Sequence, residues 1–264
     1  MNYADINLEV DQRCVAWLTL NRPQKHNAMG SRMMLELRDA CEAISNDNAI
    51  RAVVLAAAGQ KSFSAGADLG WMKENLARSR AQRIRESAAL ADALEALNRL
   101  NKMTIARVHG AAYAGGVGLI AVCDVAIAVS TARFALTETR LGLTPANISP
   151  YLIDRMGLSN ARRTLLNGHV FDANEAVQFG LIDKVVEPAN LDQAIEQELQ
   201  SCLACAPGAI AMTKQLLRNV SQQTIQENQE YTAKMLADAW ETEEAIVGIG
   251  GFFKKQPPPW TDSG

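Results

Sequence analysis

The chain has 264 residues, 48% of them hydrophobic and 21% charged, a composition that supports a sizeable buried core and excludes a disordered polymer. Lysine and arginine total 26 against 29 acids, a net charge of -3. No basic surplus exists to neutralise a phosphate backbone or an anionic bilayer, which argues against a nucleic-acid or membrane-surface role.

The opening MNYADINLEV carries acids where a secretory leader would carry lysines and an apolar run, and neither end holds a lipidation motif. The chain therefore reads as cytoplasmic. Alternating apolar and polar residues over Ile6–Val10 and Val15–Leu20, around a polar turn at Asp11-Gln12-Arg13, predict a β-hairpin. After Asn21-Arg22-Pro23, Met33, Met34, Leu37, Ala40, Cys41 and Ile44 recur at helical spacing within Ser31–Ser45. Ala52–Ala57 is short and wholly apolar, the mark of a strand buried on both faces.

The pattern then recurs. A helix is predicted over Arg80–Leu100, a buried strand over Met103–Val108, an apolar helix from Gly116 and a strand over Asp124–Val129. This is α/β logic with mostly parallel strands and no repeat of fixed length. The uncharged run Val108–Cys123 has 16 residues and four glycines, whereas a membrane-spanning helix needs about 20 apolar residues. Beyond Asp192 the character changes: Leu191–Val220 and Thr224–Val247 read as two long amphipathic helices with no strand between them. These patterns divide the chain into a core over 1–191 and a helical region over 192–264. The end, Gln256-Pro257-Pro258-Pro259-Trp260, is expected to be extended and exposed.

Five cysteines are scattered through apolar surroundings, as reduced thiols are, and Cys202-Leu-Ala-Cys205 is nominally CxxC. His26, His109 and His169 are far apart in sequence, so local spacing assembles no metal site.

Two glycine-bearing turns carry the chemistry. In Phe63-Ser64-Ala65-Gly66-Ala67-Asp68-Leu69 a strand ends, Gly66 permits a tight turn, and Asp68 is placed to cap the next helix, leaving the Ala67 amide free. In His109-Gly110 through Gly115-Gly116-Val117-Gly118 small residues admit a ligand to the backbone, and the Gly115 amide opens a helix. Two such donors converging on one point would bind an oxygen with developing negative charge.

In sequence order, Asn21-Arg22-Pro23-Gln24-Lys25-His26-Asn27-Ala28-Met29, the Phe63–Leu69 turn and the Val108–Asp124 segment resemble the motifs of the crotonase, or enoyl-CoA hydratase/isomerase, superfamily. The resemblance implies a spiral of ββα turns with a C-terminal helical trimerisation region, an acyl-CoA thioester as ligand with no separate cofactor, and a homotrimer or dimer of trimers. It assigns Ala67 and Gly115 to the thioester oxygen, Ala65, Asp68 and Leu69 to the adenosine and pantetheine, and Lys25 to the phosphates. Phe252 and Lys255 resemble an aromatic and basic pair that reaches the nucleotide, often from a neighbouring subunit. Trp71, Met72, Tyr113 and Asn147 lie near these motifs as candidate acyl-pocket residues.

Hydratases of the family commonly carry one glutamate three residues after the second oxyanion glycine and another some twenty residues later. Gly118 stands at the first position and Glu138 at the second. A lone carboxylate suits an isomerase more obviously than a hydratase, which must activate water and also protonate a carbon. Gly115-Gly116-Val117-Gly118-Leu119 and Leu143-Thr144-Pro145-Ala146-Asn147-Ile148-Ser149-Pro150, however, resemble glutaconyl-CoA hydratases of leucine and acyclic terpene breakdown, specific for 3-methylglutaconyl-CoA or isohexenylglutaconyl-CoA. The expectation is therefore hydration of a branched glutaconyl-CoA, with the distal carboxylate of the substrate helping to orient water. An acid installed at Gly118 should then favour crotonyl-CoA if space allows. A Δ3,Δ2-enoyl-CoA isomerase and a non-catalytic acyl-CoA or RNA-binding relative are the alternatives.

Overall fold

The computed structural model describes residues 3–261; the first two residues of the opening segment and the last three of the helical region lie outside the described residues. Strands β1 (Ile6–Val10) and β2 (Val15–Leu20) pair antiparallel as the alternation predicts. Their turn is closed by the Asp11 carboxylate, which accepts from the amides of Arg13 and Val15. Helix α1 (Ser31–Asn46) buries the six side chains picked out by helical spacing.

From there the chain winds in ββα turns. Strand β3 (Ala52–Ala57) leads to β4 (Ser62–Ser64), then to helices α2 (Leu69–Ala77) and α3 (Arg80–Asn98). Next come β5 (Met103–Val108), β6 (Ala111–Tyr113) and α4 (Gly115–Ala121), followed by β7 (Val125–Val129), β8 (Arg133–Ala135) and α5 (Ser149–Leu165). A last turn supplies β9 (Val170–Asp172), α6 (Ala173–Gln178) and β10 (Lys184–Val186). Strands β3, β5, β7 and β10 extend the hairpin into a six-stranded sheet ordered β1-β2-β3-β5-β7-β10, and β4, β6, β8 and β9 form a four-stranded sheet ordered β4-β6-β8-β9, the last turn entering the two sheets in reverse order. All neighbours are parallel except β1/β2 and β8/β9. Every residue of β3 is buried, as befits a central strand covered on both faces.

The C-terminal region corrects the expectation of two long helices: there are four, α7 (Leu191–Leu203), α8 (Pro207–Val220), α9 (Ile225–Trp240) and α10 (Glu243–Lys254). The breaks are local. Pro207 cannot continue α7 and starts α8, and Thr242 caps α10 by accepting from the Ala245 amide. Helix α7 buries Leu191, Ala194, Ile195, Leu199 and Cys202 in the main core. Helix α8 is pinned to the sheets by Lys214, whose Nζ donates to Asp124 at 2.5 Å and to the Lys102 carbonyl at 2.9 Å. Glu244 of α10 in turn accepts from the amides of Gly208 and Ala209 at the start of α8, where the helix dipole favours an anion. The proline-rich end is not wholly extended either. It closes in a 3-10 turn over Pro259–Thr261, with the Trp260 ring against Gly248 and its carbonyl accepting from Arg51.

No helix among the described residues is long and apolar enough to cross a membrane, and no group of three His, Cys, Asp or Glu side chains among them is placed to hold a metal ion.

Candidate active site

The four-stranded sheet builds the site. Ser64 of β4, Ala112 of β6 and Phe134 of β8 lie side by side in parallel register. Three residues beyond that row, at the carboxyl ends of the strands, come Ala67, Gly115 and Thr137, with Glu138 next. Adjacent strands lie about 4.8 Å apart, so register alone gathers these residues at one edge, where open α/β sheets bind ligands.

Local contacts close the gap. A Cβ on Gly66 (φ +85°) would stand 2.9 Å from the Tyr113 carbonyl and 2.9 Å from the Ala114 Cβ, so only glycine lets the two turns touch. Met29 forms a parallel bridge with Ala67, its amide donating to Gly66 and its carbonyl accepting from Asp68. In that pattern the N–H of Ala67 points away from Met29, and it has no acceptor among the described residues. The side chain of Met29 meanwhile reaches Gly115. Gly115 is the first residue of α4, so its N–H has no intrahelical acceptor. Ala114 holds φ 49°, ψ -119°, a strained conformation for a side-chain-bearing residue and one that aims the next amide out of the turn.

A cavity of about 530 Å³ opens here, lined by Ala65, Ala67, Leu69, Gly115 and Glu138 among the site residues expected from sequence, and by Trp71, Met72 and Asn147 among the pocket candidates. Tyr113 does not line it. Met34, Ser87 and Leu90 do, although no motif marks them, as do Met29 and Ile148, which lie within the motif segments but are not singled out by them. Met34 is indistinguishable in sequence from the other core positions of α1, and the approach of α3 is a tertiary event. The Trp71 indole is held by its Nε1 donating to Glu86 at 2.8 Å, and Glu86 is itself paired with Arg78.

Glu138 begins a 3-10 turn over Glu138–Leu141. Its Oε2 is buried with no hydrogen-bond partner among the described residues, and burial pushes its carboxyl above the ordinary range. It is the one acid among the described residues that line the cavity, and no lysine, arginine or histidine is among them. Such a group takes and returns protons more readily near neutrality than a solvated carboxylate.

Asp68 lies behind the wall. As expected it caps α2, accepting from Gly70 and Trp71 amides, and it also pairs with Arg22 at 3.0 Å and Lys25 at 3.4 Å. Burial alone would raise its carboxyl, but the Trp71 amide, Lys25, Arg22 and the Gly70 amide together hold it below the usual range. Lys25 is exposed and faces solvent at this edge. Phe252, 79% exposed, and Lys255, the left-handed C-cap of α10, do not line the cavity of this chain.

Gly118 is buried in α4, and a Cβ there would meet Ile148 Cγ2 at 2.3 Å. The space for an acid at this position is filled by Ile148, so the expected gain from installing glutamate does not hold. Even Gly118→Ala should destabilise the fold by about 1–3 kcal/mol through overpacking. Shortening Ile148 to alanine in the same chain should recover part of that loss in chemical denaturation, and additive losses would show that the two residues do not compete for space.

Two backbone donors without an acceptor among the described residues and one buried carboxylate thus share a largely apolar cavity, an arrangement suited to holding an oxygen with developing negative charge beside a proton-transfer group. Comparison with known proteins agrees. The chain belongs to the enoyl-CoA hydratase/isomerase family, whose model matches residues 11–263. It is 32% identical over 244 residues to a short-chain-enoyl-CoA hydratase of Clostridium acetobutylicum, covering 92% of each chain. It is 31% identical over 258 residues to a crotonyl-CoA hydratase of Syntrophomonas wolfei, covering 97% of each. A crystal structure of an enoyl-CoA hydratase from Shewanella pealeana superposes with a TM-score of 0.94 at 33% identity, over 98% of this chain and 97% of that one.

Proposed function

We propose that this enzyme adds water across the α,β double bond of a 2-enoyl-CoA without a separate cofactor. The observation that carries the reading is the unpartnered Oε2 of Glu138 in the same cavity as the free amides of Ala67 and Gly115. The amides donate to the thioester oxygen and stabilise the charge that reaches it. Water oxygen bonds to the β-carbon, its proton passes to the Glu138 carboxylate, and the π electrons move to the thioester as an enolate. Glu138 then returns the proton to the α-carbon, so the carboxylate is regenerated.

For the acyl chain we propose a branched glutaconyl ester, on the strength of the Gly115–Leu119 and Leu143–Pro150 segments. The cavity offers the branch an apolar wall of Met29, Met72, Leu90 and Ile148. The distal carboxylate would meet the neutral donor of Thr144 and the solvent at the exposed 141–144 rim, because the described wall holds no cation. Lys25, Ala65, Asp68 and Leu69 are proposed to border the CoA arm. Exposed Phe252, Phe253, Ile225 and Trp240 supply apolar surface for a trimer.

Steady-state rates on crotonyl-CoA, 3-methylglutaconyl-CoA and a 3-enoyl-CoA test the reading. Hydration fastest on the glutaconyl ester supports it, and a preference confined to KM means that the carboxylate only anchors the chain. Double-bond migration in the 3-enoyl ester without hydration of either 2-enoyl ester would establish the isomerase reading that the single acid favours.

A further inference from the structure

A hydratase with one carboxylate must hold its water by other means, and the cavity wall contains a second built polar group. Asn147 lies in the same loop as Ile148, the residue that fills the space beside Gly118. Its Nδ2 donates to the Ser87 carbonyl and to Ser87 Oγ, both at 2.9 Å. A carbonyl only accepts, so the nitrogen must face α3 and the orientation of the amide is settled. Asn147 Oδ1 is left with no donor among the described residues, and Asn147 and Ser87 both line the cavity. Ser87 Oγ already accepts from Asn147, which leaves its own proton with no recorded acceptor.

One free acceptor and one free donor thus belong to two hydrogen-bonded neighbours in a cavity wall that is otherwise largely apolar. A carboxylate, which only accepts, satisfies one of the two; a water molecule satisfies both. Resting on the hydratase reading above, we infer that Asn147 and Ser87 position the water that adds to the β-carbon. The water donates one proton to Asn147 Oδ1 and the other to Glu138, accepts from Ser87, and keeps one lone pair for the carbon. Asn147 takes no proton itself; the transferred proton goes to Glu138. The site thereby separates two tasks, with water held by a neutral pair and proton transfer left to one acid.

The test compares two reactions of the same protein. Hydration is measured on crotonyl-CoA and 3-methylglutaconyl-CoA, and exchange of the α-proton of butyryl-CoA with deuterated solvent is followed by NMR, a reaction that needs Glu138 and the amides but no nucleophilic water. Asn147→Leu should lower the kcat of hydration about 10²-fold, the scale of a misplaced reactant, with KM and α-proton exchange within about threefold of the parent. Ser87→Ala, which keeps the backbone carbonyl that orients Asn147, should lower hydration about tenfold with exchange again retained. Hydration and exchange falling in parallel would reduce the pair to a structural tie and overturn the inference, as would unchanged hydration in either variant. If Asn147→Leu does not fold, Ser87→Ala decides alone. A parent protein that exchanges the α-proton yet hydrates neither ester would overturn the hydratase reading itself, an outcome distinct from failure of the variants.

Discussion

Glu138→Gln should lower hydration by about 10²–10⁴-fold or more, the contribution of general acid–base catalysis when one group serves both proton transfers. Affinity for a saturated CoA ester should be nearly unchanged, because glutamine keeps the shape of the side chain. Burial raises the Glu138 carboxyl, so the parent kcat/KM should fall as pH drops through a value above the ordinary glutamate pKa of about 4.3, and the variant should lack that limb. The same shift has a stability sign. A carboxyl raised in the folded state disfavours folding when ionised; the penalty begins to fade as pH falls through the raised pKa and is gone only below the ordinary one. Glutamine carries no such charge, so the variant should be at least as stable as the parent at neutral pH, and a thermal melt separates lost chemistry from lost fold. Retention of more than about a tenth of the parent rate would remove Glu138 from the mechanism.

Gly115→Pro should lower the rate by about 10²–10³-fold, the usual effect of deleting one oxyanion donor. Proline suits the first position of a helix, where its missing N–H breaks no intrahelical bond. It also brings a Cβ into the space of Met29 Cε, 2.4 Å away, but that is the flexible end of a side chain. Gly115→Ala introduces the same carbon while keeping the N–H, so it is the control for crowding. Because Ala114 is already strained, circular dichroism must show a folded proline variant before its rate is compared. Equal losses in the alanine and proline variants would mean that crowding, not the amide, matters at this position.

Much of this arrangement was legible from local pattern. The hairpin, the buried face of α1, the wholly buried β3 and the cap by Asp68 follow from side-chain periods of 2 and 3.6 and from short-range hydrogen bonding, interactions that span a few residues. The glycine turns and Glu138 were legible as motifs, since covalent spacing carries their order. The breaks at Pro207 and Thr242 were overrun by an amphipathic period that persists through them.

What local pattern could not reach is set by partners far apart in the chain. Ile148 fills the space beside Gly118, and Asn147 turns its amide onto Ser87 of α3, 60 residues upstream. Met29 is bridged to Ala67 while its side chain reaches Gly115. Residue types alone leave Gly118 as a missing acid and Asn147 as one of four candidate pocket residues with no assigned partner. Packing decides that the first position has no room for a side chain and that the second presents a fixed carbonyl oxygen, because interiors are close-packed and each atom's space is allotted by whichever segment folds against it.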